Sequence, residues 1–160
     1  MKASLHRSLL RLFRRLPPRL RIAAVHALSP SYTVGAVCII DREDGGVLLV
    51  RHSYRPRWGL PGGLCQSRED VADAARREVR EEVGVEAVLI GEPAVVVDPG
   101  ERRVDVVFAA RLLLDGERAA PRPVSPEIVE CRWFAPDEIG SLPLQREAAQ
   151  AMAALARLRA

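Results

Sequence analysis

The sequence predicts an α/β domain in which a mixed β-sheet is flanked by helices. Three observations carry that reading. Runs rich in β-branched residues recur between residues 32 and 134 and come in hairpin-like groups. One strongly periodic helical segment, residues 69–83, lies between two of those groups. A second helical run, residues 143–158, follows the last strand. Regular strand–helix alternation, the mark of an all-parallel sheet, is missing.

The elements follow in order. Residues 3–16, ASLHRSLLRLFRRL, predict an amphipathic N-terminal helix. Leu5, Leu9, Leu12 and Leu16 share one stripe with Phe13, while Arg7, Arg11, Arg14 and Arg15 lie elsewhere. Pro17-Pro18 is expected to end it. The domain is expected over residues 32–160, with residues 1–31 as a basic extension. YTVGAVCII, from Tyr32, and VLLVR, from Val47, read as strands around the turn DREDGG. Residues 52–62, HSYRPRWGLPG, read as a loop, and VEAVLIG and PAVVV as two short strands before a Pro99-Gly100 turn. RVDVVFAARLLL is a long strand, and EIVECRWF is another with period-two alternation. PDEIGSL is a short helical turn, and Pro143 is expected to start the last helix.

Composition bounds the function. At 160 residues, 48% apolar and 28% charged, the chain suits one domain with a core. No apolar run approaches the roughly 18–20 residues of a membrane span. The net charge of +3 is uneven: residues 1–21 carry seven cations and no acid, which leaves −4 on the rest. The basic balance thus belongs to a tail, and no nucleic-acid partner is expected. That tail has three readings: it packs on the domain or on a second copy as a homodimer, it lies on an anionic membrane surface, or it is a targeting or loose segment. Cys38, Cys65 and Cys131 form no C-x-x-C pair, which disfavours zinc and fits reduced thiols in a cytoplasmic protein. Lys2 is the single lysine among 24 basic residues, a bias that points to GC-rich bacterial coding.

The chemistry concentrates in GLCQSREDVADAARREVREEVGV, Gly63 to Val85. At about 100° per residue, Val71, Ala72, Ala75, Val79 and Val83 form one buried stripe. Glu82 falls inside that stripe, Glu78 at its border and Glu81 about 60° beyond. Acids that only solvate a helix belong on the opposite face. These repel one another at i,i+4, lie near the negative end of the helix dipole and are partly buried, so a cation is needed to offset them. Clustered oxygen ligands suit Mg²⁺ or Mn²⁺. Gly62-Gly63, just upstream, permits close backbone approach. Arg51, His52, Tyr54, Arg55 and Trp58 supply charge and rings beside this segment for phosphates or a base. The competing reading makes Arg51 a strand edge and Trp58 core.

Gly63, Glu69 and Arg77-Glu78-Val79-x-Glu81-Glu82-x-Gly84-Val85 match the Nudix box, GX5EX7REUXEEXGU, at every defined position. The chain therefore resembles the Nudix hydrolase family over about residues 32–140. The resemblance implies an α/β/α sandwich around a mixed sheet. It also implies metal-dependent hydrolysis of a pyrophosphate bond in a nucleoside diphosphate linked to another moiety, such as a nucleoside triphosphate, ADP-ribose or a nucleotide sugar. The substrate is then a nucleotide-derived small molecule. Glu78, Glu81 and Glu82 are implied as metal ligands with the Gly62 or Gly63 carbonyl. Gly63, Glu69, Gly84 and Arg77 are implied to hold the box in shape, with Glu69 reaching metal through water and Arg77 counted with Glu78, Glu81, Glu82 and Glu127 in the catalytic set; the i−4 spacing also lets Arg77 orient Glu81. Glu127 matches the place of a further metal-binding or basic glutamate, against the reading of an exposed acid at a strand start. The loop departs from the common PGG-G-x-E-x-G-E form, with Leu64, Gln66 and Arg68 in place of glycine, acid and glycine. Pro99 stands roughly where ADP-ribose hydrolases carry a proline, although an ordinary turn explains it as well. A non-catalytic nucleotide-binding module is the alternative, and the complete set of box acids counts against it.

Overall fold

The structure, a computed structural model, describes residues 13–113 and 120–159. The chain divides into two compact units, one ending at Tyr32 and the other Thr33–Ala160. In the first, α1 (Pro18–Leu28) begins where a helix was expected to end. Pro18 occupies the first turn, where its missing N–H has no intrahelical partner to lose. Most of the helix expected over residues 3–16, and the docking roles tied to it, lie outside the described residues. No helix among the described residues is long and apolar enough to cross a membrane.

Among the described residues, the second unit contains seven strands: β1 (Thr33–Ile40), β2 (Val47–His52), β3 (Trp58–Gly59), β4 (Gly62–Leu64), β5 (Ala87–Asp98), β6 (Arg103–Leu112) and β7 (Ile128–Phe134). Its helices are α2 (Val71–Val83), α3 (Pro136–Ile139) and α4 (Arg146–Arg159). Four strands form a mixed sheet in the order β4-β1-β6-β5, and three form an antiparallel sheet in the order β3-β2-β7. The parallel pair is β1–β6, in register from Thr33↔Arg103 to Ile40↔Ala110.

Strand alternation builds the sandwich. Ala36, Cys38 and Ile40 of β1, with Phe108 and Ala110 of β6, pack against Ala75, Val79 and Val83 of α2. Ile39 of β1, with Val107 and Ala109 of β6, packs against Ala148, Ala151 and Leu155 of α4. β2 divides its side chains the same way, Leu48 and Val50 to the first layer and Leu49 to the second. Each helix therefore reads one parity of the same strands.

Several boundaries differ from the sequence expectation, each for a local reason. The two short strands over residues 85–97 join into one, β5, whose pairing with β6 shifts between Ile90 and Ala94. Pro93 falls in that irregular stretch of an edge strand, where no ladder bond is sacrificed. The loop expected over residues 52–62 contains β3, paired with β2, and leads into β4, paired with β1. α2 starts at Val71 because Asp70 caps it, its side chain accepting the Ala72 N–H at 2.8 Å. α4 starts at Arg146, not at Pro143. Residues 143–145 instead run beside β3, with Trp58 N–H donating to the Pro143 carbonyl and Gln145 N–H to the Trp58 carbonyl.

Arg68 lies in the turn leading into α2 with φ of 68°, in the left-handed region. This explains the glycine that the common form of the loop carries there, because a Cβ in that region costs roughly 1 kcal/mol. Arg68→Gly is expected to raise the unfolding free energy by up to about 1 kcal/mol. Urea denaturation checks this, and an unchanged or lower midpoint would contradict the strained backbone.

Candidate active site

The site forms where β4 meets α2. Pro61 is fully buried, which fixes the chain's entry into β4. Gly62 has φ of 151°, and a Cβ there would collide with the Ala36 carbonyl and stand 2.8 Å from the Val37 Cα. A Cβ at Gly63 would come within 2.5 Å of the Glu78 carboxylate. The Gly-Gly pair is therefore required for two contacts: strand pairing with β1, and room for Glu78.

Arg77 organises the acids. Its Nε and Nη2 donate to the two oxygens of Glu69 at 2.7 and 2.9 Å. Nη1 donates to Glu78 at 2.7 Å and to Glu81 at 3.0 Å, and Nη2 also reaches the Leu64 carbonyl at 3.2 Å. Glu69 additionally accepts the Gln66 N–H at 2.7 Å. These donors hold the Glu69 carboxyl at about 2, with the Arg77 hydrogen bonds the largest cause. The same pairing, led by Glu69, pushes the Arg77 guanidinium above its ordinary value. Glu78 moves the other way: burial raises its pKa, and Arg77 offsets part of that.

Glu82 is buried, 6% exposed. One of its oxygens accepts the Gly62 N–H at 2.9 Å, and the other lies 3.4 Å from His52 Nε2. Glu81 is more than half exposed. Helix periodicity had set Glu82 inside the buried stripe and Glu81 beyond its border, and their burial follows that order.

A cavity of about 550 Å³ brings these groups together. Glu78, Glu81, Glu82, Gly62, Gly63 and Arg77 line one end, and Glu127 lines it as well. His52, Tyr54 and Arg55 form another wall. Two of the expected substrate-contacting residues sit elsewhere. Arg51 is paired with Glu130 across β2 and β7 at 2.6 Å. Trp58 packs edge-on against Phe134 at 4.8 Å, as its core reading required. The pairing of β2 with β7 shifts between Arg51 and His52, so neighbouring residues diverge: His52 turns into the cavity wall while Arg51 joins the sheet surface.

Two residues that sequence reasoning missed complete the cavity. Asp105 is 8% exposed on β6, and its Oδ1 accepts from Arg103 Nε at 2.7 Å. A side chain at Gly35, opposite it on β1, would collide with that carboxylate. The signal existed: Asp105 shares parity with Val107 and Ala109, so an acid occupies an inward row of an apolar strand. Gln145 is equally buried, and its place beside His52 depends on a contact 93 residues apart that no local pattern reveals.

As they stand, no three His, Cys, Asp or Glu side chains among the described residues converge on one point as a metal cage. Glu78 and Glu81 point at Arg77, and Glu82 at Gly62. The donor set nevertheless fits a hard cation. Three carboxylates line one cavity: burial favours the neutral form of Glu78, and Glu81 is more than half exposed.

Residues 31–156 match the NUDIX domain family model. The chain belongs to the Nudix family. It is 33% identical over 113 residues to a putative 8-oxo-dGTP diphosphatase of Bacillus subtilis, covering 71% of each chain. A MutT-like protein of Streptomyces ambofaciens is 29% identical, over 69% of this chain and 68% of that one. Among solved structures, a MutT NUDIX hydrolase from Burkholderia pseudomallei superposes with a TM-score of 0.63 at 31% identity, covering 78% of this chain and 98% of that one. An ADP-ribose pyrophosphatase from Streptococcus suis gives 0.63 at 27%, covering 82% and 94%. The protein is thus a Nudix hydrolase that cleaves nucleoside diphosphates linked to a further moiety, in a family that uses divalent metal.

The Glu69 geometry has a consequence for acid stability. Its folded pKa of about 2 lies below the ordinary 4.5, so its contribution is present above pH 4.5 and lost as pH falls toward 2. Between those values the melting temperature of the parent protein should fall more steeply than that of Glu69→Gln. Parallel profiles would contradict the Arg77–Glu69 coupling.

Proposed function

We propose that Glu78, Glu81 and Glu82, with the Gly62 carbonyl, hold Mg²⁺ or Mn²⁺, and that the substrate is a guanine-type nucleoside triphosphate whose base reaches Asp105. The observation that carries this is the single cavity running from the α2 carboxylates to Asp105. When bound, the metal neutralises the pyrophosphate oxygens and acidifies a water. Arg55, on the cavity wall and nearly half exposed, meets a phosphate oxygen. Glu127, on the lining of the same cavity, accepts the proton of the attacking water at its carboxylate. Arg77 keeps Glu78 and Glu81 near one another without entering the reaction.

Asp105 sets the base. Its Oδ2 has no hydrogen bond among the described residues, and no fully buried side-chain oxygen there lacks one. Oδ2 therefore keeps some exposed surface, which leaves it able to accept from a bound base. A carboxylate offers acceptors only. Guanine presents two adjacent donors, N1–H and N2–H₂, whereas adenine and cytosine put an acceptor beside their donor and uracil flanks its donor with carbonyls. The 8-oxo form keeps the guanine edge, and the Bacillus subtilis relative is named for it.

The test is a hydrolysis screen with Mg²⁺ over 8-oxo-dGTP, dGTP, dATP, ADP-ribose and a nucleotide sugar. A guanine nucleotide should exceed dATP in kcat/KM by about 10-fold or more, the discrimination of one paired donor–acceptor edge. Asp105→Ala should erase that preference, and Glu82→Gln should abolish hydrolysis of every substrate. Preference for ADP-ribose would overturn the base assignment, and activity retained in Glu82→Gln would overturn the metal assignment.

A further inference from the structure

Four polar side chains are buried among the described residues: His52, Glu82, Asp105 and Gln145. Three of them form one chain that ends on the metal-binding acids. Gln145 lies at the junction of β3 and α4, and its amide fills the space that the missing side chain of Gly59 leaves, 2.8 Å from where a Cβ would stand. Its Oε1 accepts from Arg55 Nη1 at 3.1 Å. Its Nε2 donates to the Arg57 carbonyl at 3.1 Å and lies 3.4 Å from His52 Nδ1.

The chemistry of the neighbours fixes the amide's orientation. A guanidinium only donates, so the amide oxygen must face Arg55. A carbonyl only accepts, so the amide nitrogen must face Arg57. The second amide hydrogen then points at His52 Nδ1, which becomes an acceptor. The ring proton is left on Nε2, the nitrogen 3.4 Å from a Glu82 oxygen. The other Glu82 oxygen already accepts from the Gly62 N–H at 2.9 Å. One Glu82 oxygen thus has a hydrogen-bond donor behind it, and the other has the ring N–H nearby, with Glu82 itself on the cavity lining.

We infer that Gln145 is a positioning residue: by fixing the Nε2–H tautomer of His52 it orients Glu82 as a metal ligand. Reversing the amide, or replacing it by a group that accepts at His52 Nδ1, draws the ring proton away from Glu82 and leaves an acceptor facing a carboxylate. Outer partners of metal ligands act in this way, and their loss commonly weakens metal binding by about 10–100-fold. The inference rests on Glu82 being a metal ligand, but the tautomer itself is independent of that reading.

The test uses the full chain with ¹⁵N-labelled histidine. The His52 ring should show a protonated Nε2 and an unprotonated Nδ1. Gln145→Glu, nearly isosteric and so the mildest change to packing, should put a proton on Nδ1, moved from Nε2 or added beside it. By titration calorimetry it should also raise the Mg²⁺ midpoint about tenfold. The Mg²⁺ midpoint is read without nucleotide, because Gln145 lines the cavity and holds Arg55, so the KM for nucleotide is expected to move as well. His52→Gln, which keeps an N–H toward Glu82, should hold the Mg²⁺ midpoint within about threefold and so act as the conservative rescue. A wild-type ring protonated at Nδ1, or a Mg²⁺ midpoint unmoved in Gln145→Glu, overturns the inference. A midpoint unmoved by Glu82→Gln overturns the ligand assignment beneath it, and this role with it.

Discussion

The rest of the site depends on one guanidinium. Arg77 spends its N–H groups on Glu69, Glu78, Glu81 and the Leu64 carbonyl, and so ties the loop before α2 to the middle of that helix. Lysine has no equivalent fork: a single ammonium cannot pair both oxygens of Glu69 and still span two acids on the next turn. Without Arg77, Glu78 would be buried beside Glu82 with no cation near, and like charges in a poorly solvated site would favour protonation or local unfolding. The pair with Glu69 is therefore structural, and the pair with Glu78 and Glu81 is electrostatic.

The sandwich supplies what Arg77 cannot. Because α2 and α4 read opposite parities of β1 and β6, a strand residue is committed to one side of the sheet. Asp105 falls on the α4 side with Val107, while Ala36 and Cys38 anchor α2 on the other. β4, laid antiparallel on β1, bridges the two: Gly62 gives its N–H to Glu82, and Gly63 yields space to Glu78. The three acids differ accordingly in freedom. Glu82 is held by the Gly62 N–H with the His52 ring beside it, Glu78 is largely enclosed, and Glu81 is more than half exposed. A site that must accept a cation and release product benefits from one ligand that moves and one that does not.

Much of this was legible from spacing alone. Helical period put Glu82 within the buried stripe, the Nudix box named the acids, the arginine and Gly63, and the lead-in supplied Gly62. The left-handed turn at Arg68 was visible only as a departure from the common loop, and its cause required backbone angles. The failures share a feature: each depends on contacts distant in sequence. The exception is local: Pro17-Pro18 ends the helical residues 13–15 as expected, and Pro18 also starts α1, which was missed. Trp58 and Arg51 sit next to the box in sequence, but β7 claims both, through Phe134 and Glu130. Gln145 belongs to the site because residues 143–145 run beside β3, an arrangement with no local signature.

The central claim is that the α2 carboxylates, not the basic tail or the sheet surface, hold the divalent ion. Mn²⁺ titration of the full chain, followed by electron paramagnetic resonance, tests it most directly. The account predicts saturable binding in the parent protein. It predicts loss of that binding in a variant carrying Glu78→Gln, Glu81→Gln and Glu82→Gln whose circular dichroism is unchanged. Mn²⁺ bound equally by the folded triple variant would contradict it.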